Sequence, residues 1–399
     1  MRAAASTRRT KRKKKKGRSP VFWCVLVFFL LVTAVNLVHT VFFVLEARLG
    51  HHDTRWFWAS GQLLVHGSNP YDQDAVGRLQ AALGIPVETN NILRNPPTAL
   101  FLVIPLGFLQ GWEAVPVWSF LLAVCLGISV LVLRTMLPET YPKWYLWMAL
   151  CFAPAVCCVG AGQTGVFVLL GLTLFLRFRE SRPFLAGAAF SLSALKPHLL
   201  LPFGVVLIAW IITRKRWSVV PGLLAAMAVQ SLIGMAFDRH VWSHYFAAMR
   251  SQDLTNLYIP TLGAALRSGI DGSAVWLEFV PVAAGCIWAL WYFVRNREQW
   301  DWTTHGSLLT LVSMVTAPYS WFTDQAIALP AILFALAGEG KLRRGSLTLL
   351  LFLMILATLE RLVTQTLFFE PFWWQGVAWL LWYLYATSHK LKEAAVVAV

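Results

Sequence analysis

The sequence predicts an all-α polytopic membrane protein of about 12 crossings, some of them short or broken, and three observations lead there. The 399 residues are 58% hydrophobic and 13% charged, with a mean hydropathy of +0.61, whereas a soluble domain is about 25% charged. Apolar runs long enough to cover roughly 30 Å of hydrocarbon at about 1.5 Å per residue recur along the chain. Basic clusters punctuate those runs, as the positive-inside rule expects of cytoplasmic loops.

The chain opens on a basic block, Arg8, Arg9, Lys11, Arg12, Lys13 to Lys16 and Arg18, which supplies much of the net charge of +15. Directly ahead of an apolar span, such a block fits a cytoplasmic N-terminus held against anionic lipid, so we expect membrane lipids and no nucleic acid as its partner. The run 21–45 is too long for a signal-peptide core and reads as a retained transmembrane helix. We expect one membrane domain, 21–389, between cytoplasmic tails 1–20 and 390–399.

Clear spans follow at 115–133, 217–236, 272–294, 305–318, 324–338, 346–368 and 371–387, with shorter or broken candidates at 97–110, 144–159, 163–176 and 183–213. The clusters Arg177 to Arg182, Arg214 to Arg216, Arg295 to Arg297, Lys341 to Arg344 and Lys390 to Lys392 all read as cytoplasmic. Parity then requires that either 97–110 or 144–159 fails to cross. It also requires that 183–213 goes out and returns, turning near Lys196-Pro197, where the proline removes a helix donor. Broken helices of this kind persist where they line a polar cavity; a single tilted span is the alternative.

Two outer loops result, at 46–96 and 237–271. In the first, Trp56, Phe57, Ala59, Ser60, Leu63 and Leu64 recur at helical spacing and predict an amphipathic interfacial helix. Gly67-Ser68-Asn69-Pro70 ends it, Asp72 is placed as the N-cap of a second helix, and Gly84 closes that one.

Few polar residues stand where chemistry needs them. Asp53 begins the outer loop, where a partly desolvated carboxylate can serve as general base, although it is equally placed to cap the helix behind it. Lys196 lies between apolar arms, and a charge inside membrane structure is costly enough to suggest function, a snorkelling interfacial lysine being the alternative. Beside Pro197 and His198 in an opened helix, it is suited to hold a phosphate. Arg94-Asn95 precede Pro96-Pro97 at the return to the membrane, and Gly162-Gln163 suits a polar pocket as well as it suits helix packing. Arg250 offers a cation in the second outer loop. The six cysteines sit in apolar segments without ligand spacing, no metal site is expected, and no glycine loop implies ATP hydrolysis.

The landmarks Asp53-Thr54-Arg55-Trp56-Phe57-Trp58, then Gly67-Ser68-Asn69-Pro70-Tyr71-Asp72, Asn95-Pro96-Pro97, Pro105-Leu106, Gly162-Gln163 and Ala186-Gly187 through Lys196-Pro197, resemble in order and spacing those of glycosyltransferase family 87. The resemblance covers roughly residues 50 to 215. It implies a GT-C-like bundle in a bacterial or archaeal cell membrane and transfer of a hexose, expected to be mannose, from a polyprenyl-phosphate donor. The acceptor would be a lipid, glycan or glycoprotein hydroxyl at the extracytoplasmic face, attacked with inversion. Asp53 would be the catalytic base, and Lys196, Arg94 and Arg250 would bind the donor phosphate. Substrate contacts would fall to His52, Tyr71, Asn95, Gln163, His198 and Asp324. No cofactor is required beyond the lipid-linked donor, and a monomer is expected. One departure stands out: where the family often has Ser-Trp-x-His-His, this chain reads Ser320-Trp321-Phe322-Thr323-Asp324. A transporter of lipid-linked saccharide or a noncatalytic envelope-assembly protein would share the broken helices. The transporter would need a cavity alternately open to both faces, and the scaffold would leave these polar groups scattered.

Overall fold

The computed structural model describes residues 19–46, 53–85, 93–139, 141, 144–251, 259–337, 345–364 and 373–397. Among them there is no strand, and the helices run in order α1 (Pro20–Glu46), α2 (Thr54–Val65), α3 (Gln73–Ala82), α4 (Leu100–Val103), α5 (Gly111–Arg134) and α6 (Trp144–Leu150). Next come α7 (Ala153–Ala161), α8 (Gly165–Phe178), α9 (Pro183–Phe190), α10 (Leu201–Arg214), α11 (Val219–Phe237) and α12 (Val241–Arg250). The series closes with α13 (Leu262–Ile270), α14 (Val280–Asn296), α15 (His305–Thr316), α16 (Leu329–Ala337), α17 (Ser346–Thr364) and α18 (Trp373–Val397).

The expected 12 crossings are not there. Among the described residues five helices are long and apolar enough to cross a membrane: Pro20–Leu45, Gly111–Arg134, Val219–Phe237, Val275–Gln299 and Ser346–Val363. A sixth is added if the bent pair Pro183–Leu195 and Pro197–Thr213 counts as one span. The stretches expected to cross at 305–318 and 324–338 form shorter helices, His305–Thr316 and Phe322–Ala337, and 371–387 falls in α18, which is not among the candidates. Neither 97–110 nor 144–159 is a full span: the first is a short apolar helix, Pro97–Phe108, and the second breaks between α6 and α7.

The physical reason is that hydropathy does not distinguish lipid from protein as the apolar solvent. In α8, Val166 to Leu170, Leu172, Phe175 and Leu176 are all buried, so its hydrophobicity is that of a core helix apolar all round. Its 14 residues rise only about 21 Å. By contrast α1 leaves Val27, Leu30, Leu31 and Val35 exposed as a lipid-facing stripe.

The loop helices form where local signals place them. Asp72 caps α3, accepting from the Asp74 and Ala75 backbone N–H groups at 3.0 Å, and Gly84 takes the left-handed φ of +72° beyond its end. α2 lies against the segment Pro97–Phe108 with backbones touching: a Cβ on Gly61 would sit 2.4 Å from the Val103 carbonyl oxygen. The predicted turn at Lys196-Pro197 is a bend of 119°. In the stretch 237–271, Arg267 is fully buried and paired to Glu278 at 2.8 Å.

Three of the arginine clusters meet at one end of the bundle. Arg216 pairs with Glu180, and Arg214 Nη2 donates to the Arg297 carbonyl oxygen at 2.8 Å. Because α8 and α10 each run between that end and the Gly162 to Lys196 region, the polar residues considered next occupy the opposite end.

Candidate functional site

The site is organised by the C-terminal turn of α7. Helix α7 stops where Gly162 adopts φ +75°, a left-handed conformation that costs glycine nothing and other residues about 1–2 kcal/mol. Trp118 of α5 donates its indole N–H to the Gly162 carbonyl at 2.7 Å, and the Gln163 backbone N–H donates to Cys158 at 2.9 Å. The same turn receives the start of α2, since the Asp53 N–H donates to the Ala161 carbonyl at 3.1 Å. Asp53 and Gln163 are thereby fixed side by side, although 110 residues separate them.

Asp53 occupies the N-cap position of α2 but makes no side-chain capping bond. Its carboxylate turns to Gln163, accepting from Nε2 at 2.5 Å. Gln163 Oε1 in turn accepts from Lys196 Nζ at 3.1 Å.

Lys196 stands at the break between α9 and α10 with φ −138° and ψ 70°, an extended interruption enforced by Pro197. The Leu195 carbonyl released there accepts from Asn95 Nδ2 at 3.1 Å. Lys196 is 7% exposed and its ammonium is ion-paired at 2.6 Å to Asp324, which is 0% exposed and also accepts the Trp321 backbone N–H at 3.0 Å. Gly165 leaves room for this pair, because a Cβ there would lie 3.2 Å from Asp324 Oδ1 and 3.0 Å from the Thr323 carbonyl oxygen.

Asp53, Arg94, Asn95, Gln163, Lys196 and His198 line one cavity of about 340 Å³, together with Arg55, Trp56, Tyr319 and Trp321. Its wall carries three cationic side chains, Arg55, Arg94 and Lys196, against one carboxylate, Asp53. That balance suits an anionic ligand. Arg94 Nη1 donates to the Tyr319 hydroxyl at 3.4 Å, Trp321 donates to the same oxygen at 2.8 Å, and His198 packs edge-on to the Tyr319 ring at 5.2 Å. His198 Nε2 is buried with no hydrogen-bond partner among the described residues.

The other sequence candidates stand elsewhere. Tyr71 lies behind Asn95, donating its hydroxyl to the Asn95 carbonyl at 3.0 Å; burial, then Tyr245 and Asp238 nearby, pushes its phenol well above the usual range, so it remains a neutral donor. Asp324 supports Lys196 from behind and does not line the cavity, and Arg250 ends α12 exposed and away from it. His52 lies outside the described residues. Sequence reasoning missed Arg55, which stacks on Trp56 with its guanidinium carbon 4.6 Å from the ring centre. Its place two residues after Asp53, on the first turn of α2, was the available signal.

The sequence profile of glycosyltransferase family 87 matches residues 94–318, more than half of the chain. Arg94, Asn95, Gln163, Lys196 and His198 fall inside the match, Asp53 stands before it, and Asp324 lies just beyond its end. No curated protein and no solved structure matches.

Proposed function

The chain belongs to glycosyltransferase family 87, and from that premise we propose that it moves a hexose, with mannose the expected sugar, from a polyprenyl-phosphate donor to an acceptor hydroxyl. The observation that carries this reading is one cavity of about 340 Å³ lined by a carboxylate, Asp53, and three cationic side chains, Arg55, Arg94 and Lys196. Asp53 takes the proton of the acceptor hydroxyl as its oxygen attacks the anomeric carbon. The bond from that carbon to the phosphate oxygen breaks on the opposite side, inverting the configuration. The electron pair leaves with the lipid phosphate, whose charge Lys196 and Arg94 stabilise. His198 Nε2, without a hydrogen-bond partner among the described residues, is available to a sugar hydroxyl.

The basic N-terminus and the first span put Asp53 on the extracytoplasmic side in this scheme. The acceptor is a lipid, glycan or glycoprotein reaching the cavity from outside, while the donor's prenyl chain stays in the bilayer.

Purified full-length protein, incubated with polyprenyl-phosphate-linked hexoses and candidate acceptors, tests the reading. Native protein should form product, and Asp53→Asn should lose about 10²–10⁴-fold in turnover. Equal turnover by Asp53→Asn would remove Asp53 from the chemistry.

A further inference from the structure

Gln163 touches both ends of the cavity's polar machinery, through Nε2 to Asp53 Oδ2 at 2.5 Å and through Oε1 to Lys196 Nζ at 3.1 Å. An ammonium has donors and no acceptor, so Lys196 meets only the amide oxygen. The amide has no choice at its other end: its NH₂ must face Asp53. A carboxylate that accepts such a bond is favoured in its charged form over its protonated form.

Each link is held by the one behind it. Asp324, fully buried and anchored by the Trp321 N–H, fixes the Lys196 ammonium at 2.6 Å. The Gln163 main chain is pinned on both sides, its N–H to the Cys158 carbonyl at 2.9 Å and its own carbonyl accepting from Cys158 Sγ at 3.0 Å. Asp324, Lys196, Gln163 and Asp53 therefore form a polarised series in which the direction of every hydrogen bond is set by Lys196.

Resting on the glycosyl-transfer reading above, we infer that Gln163 is a positioning residue: it transmits the charge of Lys196 to Asp53 and keeps that carboxylate unprotonated and aligned, instead of contacting a substrate. The end that receives the departing phosphate and the end that receives the acceptor's proton are thus mechanically one unit. A phosphate bound at Lys196 is felt at Asp53 through a single amide.

The charged and titratable groups that share the cavity with Asp53 are Arg55, Arg94, Lys196, His198 and Tyr319, and Asp324 stands behind Lys196; the test leaves all of them in place. The pH dependence of kcat, with KM for donor and acceptor, is measured on full-length native protein, Gln163→Met and Gln163→Glu. In Gln163→Met, kcat should fall about 10-fold or more at neutral pH and the acid limb should move up by about one pH unit, as one hydrogen bond to a charged group is lost. Both KM values should stay within about twofold. Gln163→Glu keeps the size and still accepts from Lys196 but faces Asp53 with a second carboxylate, so its acid limb should move up further; it carries the test if the methionine variant does not fold. Raised KM with native kcat would make Gln163 a substrate contact. A lower kcat with an unmoved acid limb in both variants would leave it merely structural, and either result overturns the inference. An active Asp53→Asn sinks the transfer reading itself, whereas an inactive Asp53→Asn beside unshifted Gln163 variants sinks only the role of Gln163.

Discussion

Lys196 and Asp324 hold opposite charges almost out of reach of water, at 7% and 0% exposure and 2.6 Å apart. Two such charges lose hydration worth several kcal/mol each, and their attraction in a low-dielectric interior offsets that only because further hydrogen bonds complete the shell. Gln163 and the Trp321 N–H supply those bonds. Asp324→Leu should therefore destabilise the protein by about 3–5 kcal/mol, since it strands a buried ammonium. Adding Lys196→Met should recover most of that loss without restoring turnover. Thermal unfolding in detergent reads the first effect and the transfer assay the second; a double variant as unstable as the single one would show that the pair does not set stability. Lys196 was legible in the sequence because a lone charge inside an apolar run is conspicuous. Its partner was not, because 128 residues separate Lys196 from Asp324 and no periodicity relates them. Asp324 showed only as a departure from a family pattern, and it was expected at the substrate when it stands behind the cavity wall.

At the level of the element, glycines decide how α2 reaches the site. Gly61 and the segment Pro97–Phe108 meet backbone to backbone, and a methyl group on Gly61 would lie 2.4 Å from one main-chain oxygen and 2.9 Å from the Gly107 nitrogen. Backbone does not yield as a flexible side chain does, so Gly61→Ala should cost about 1–3 kcal/mol and loosen the placement of Asp53 at the head of α2. Gly127→Ala in α5 is the control, because nothing lies within 4 Å of the added carbon and helix propensity favours alanine by about 1 kcal/mol. A similar loss of thermal stability in both would contradict this packing argument. The ends of α2 and α3 were readable from Asp72, Gly67 and Gly84, whose chemistry is local. What α2 packs on was not readable, since an amphipathic pattern says that one face is apolar and leaves open whether lipid or another helix covers it. The capping role open to Asp53 was likewise settled by its distant neighbour, Gln163.

For the whole molecule, hydropathy and charge carry different information. Apolar runs suggested about 12 crossings, and five or six candidates are found among the described residues because α8, α15 and α16 are apolar but short and buried in the interior. The arginine clusters at 177–182, 214–216 and 295–297, expected on one side from the sequence, come together at one end through Arg216 with Glu180 and Arg214 with the Arg297 carbonyl. Single cysteines introduced at Glu180 and Glu298 should therefore react with a membrane-impermeant thiol reagent from the same side of sealed vesicles, and one at Trp321 from the other. Labelling of Glu180 and Trp321 positions from one side would refute that polarity.

The shortness of α8 and α10 also bears on thickness. Each has 14 residues and rises about 21 Å, while the hydrocarbon slab is roughly 30 Å deep. With their arginine ends at one headgroup layer, their far ends stop about 9 Å below the other. The floor of the cavity then lies sunk below that headgroup layer, and the mismatch is relieved by a locally pinched bilayer or by headgroups that dip toward Lys196. For the proposed donor, such a well means that the prenyl tail need not lift its phosphate to the surface. The proposed acceptor makes the descent.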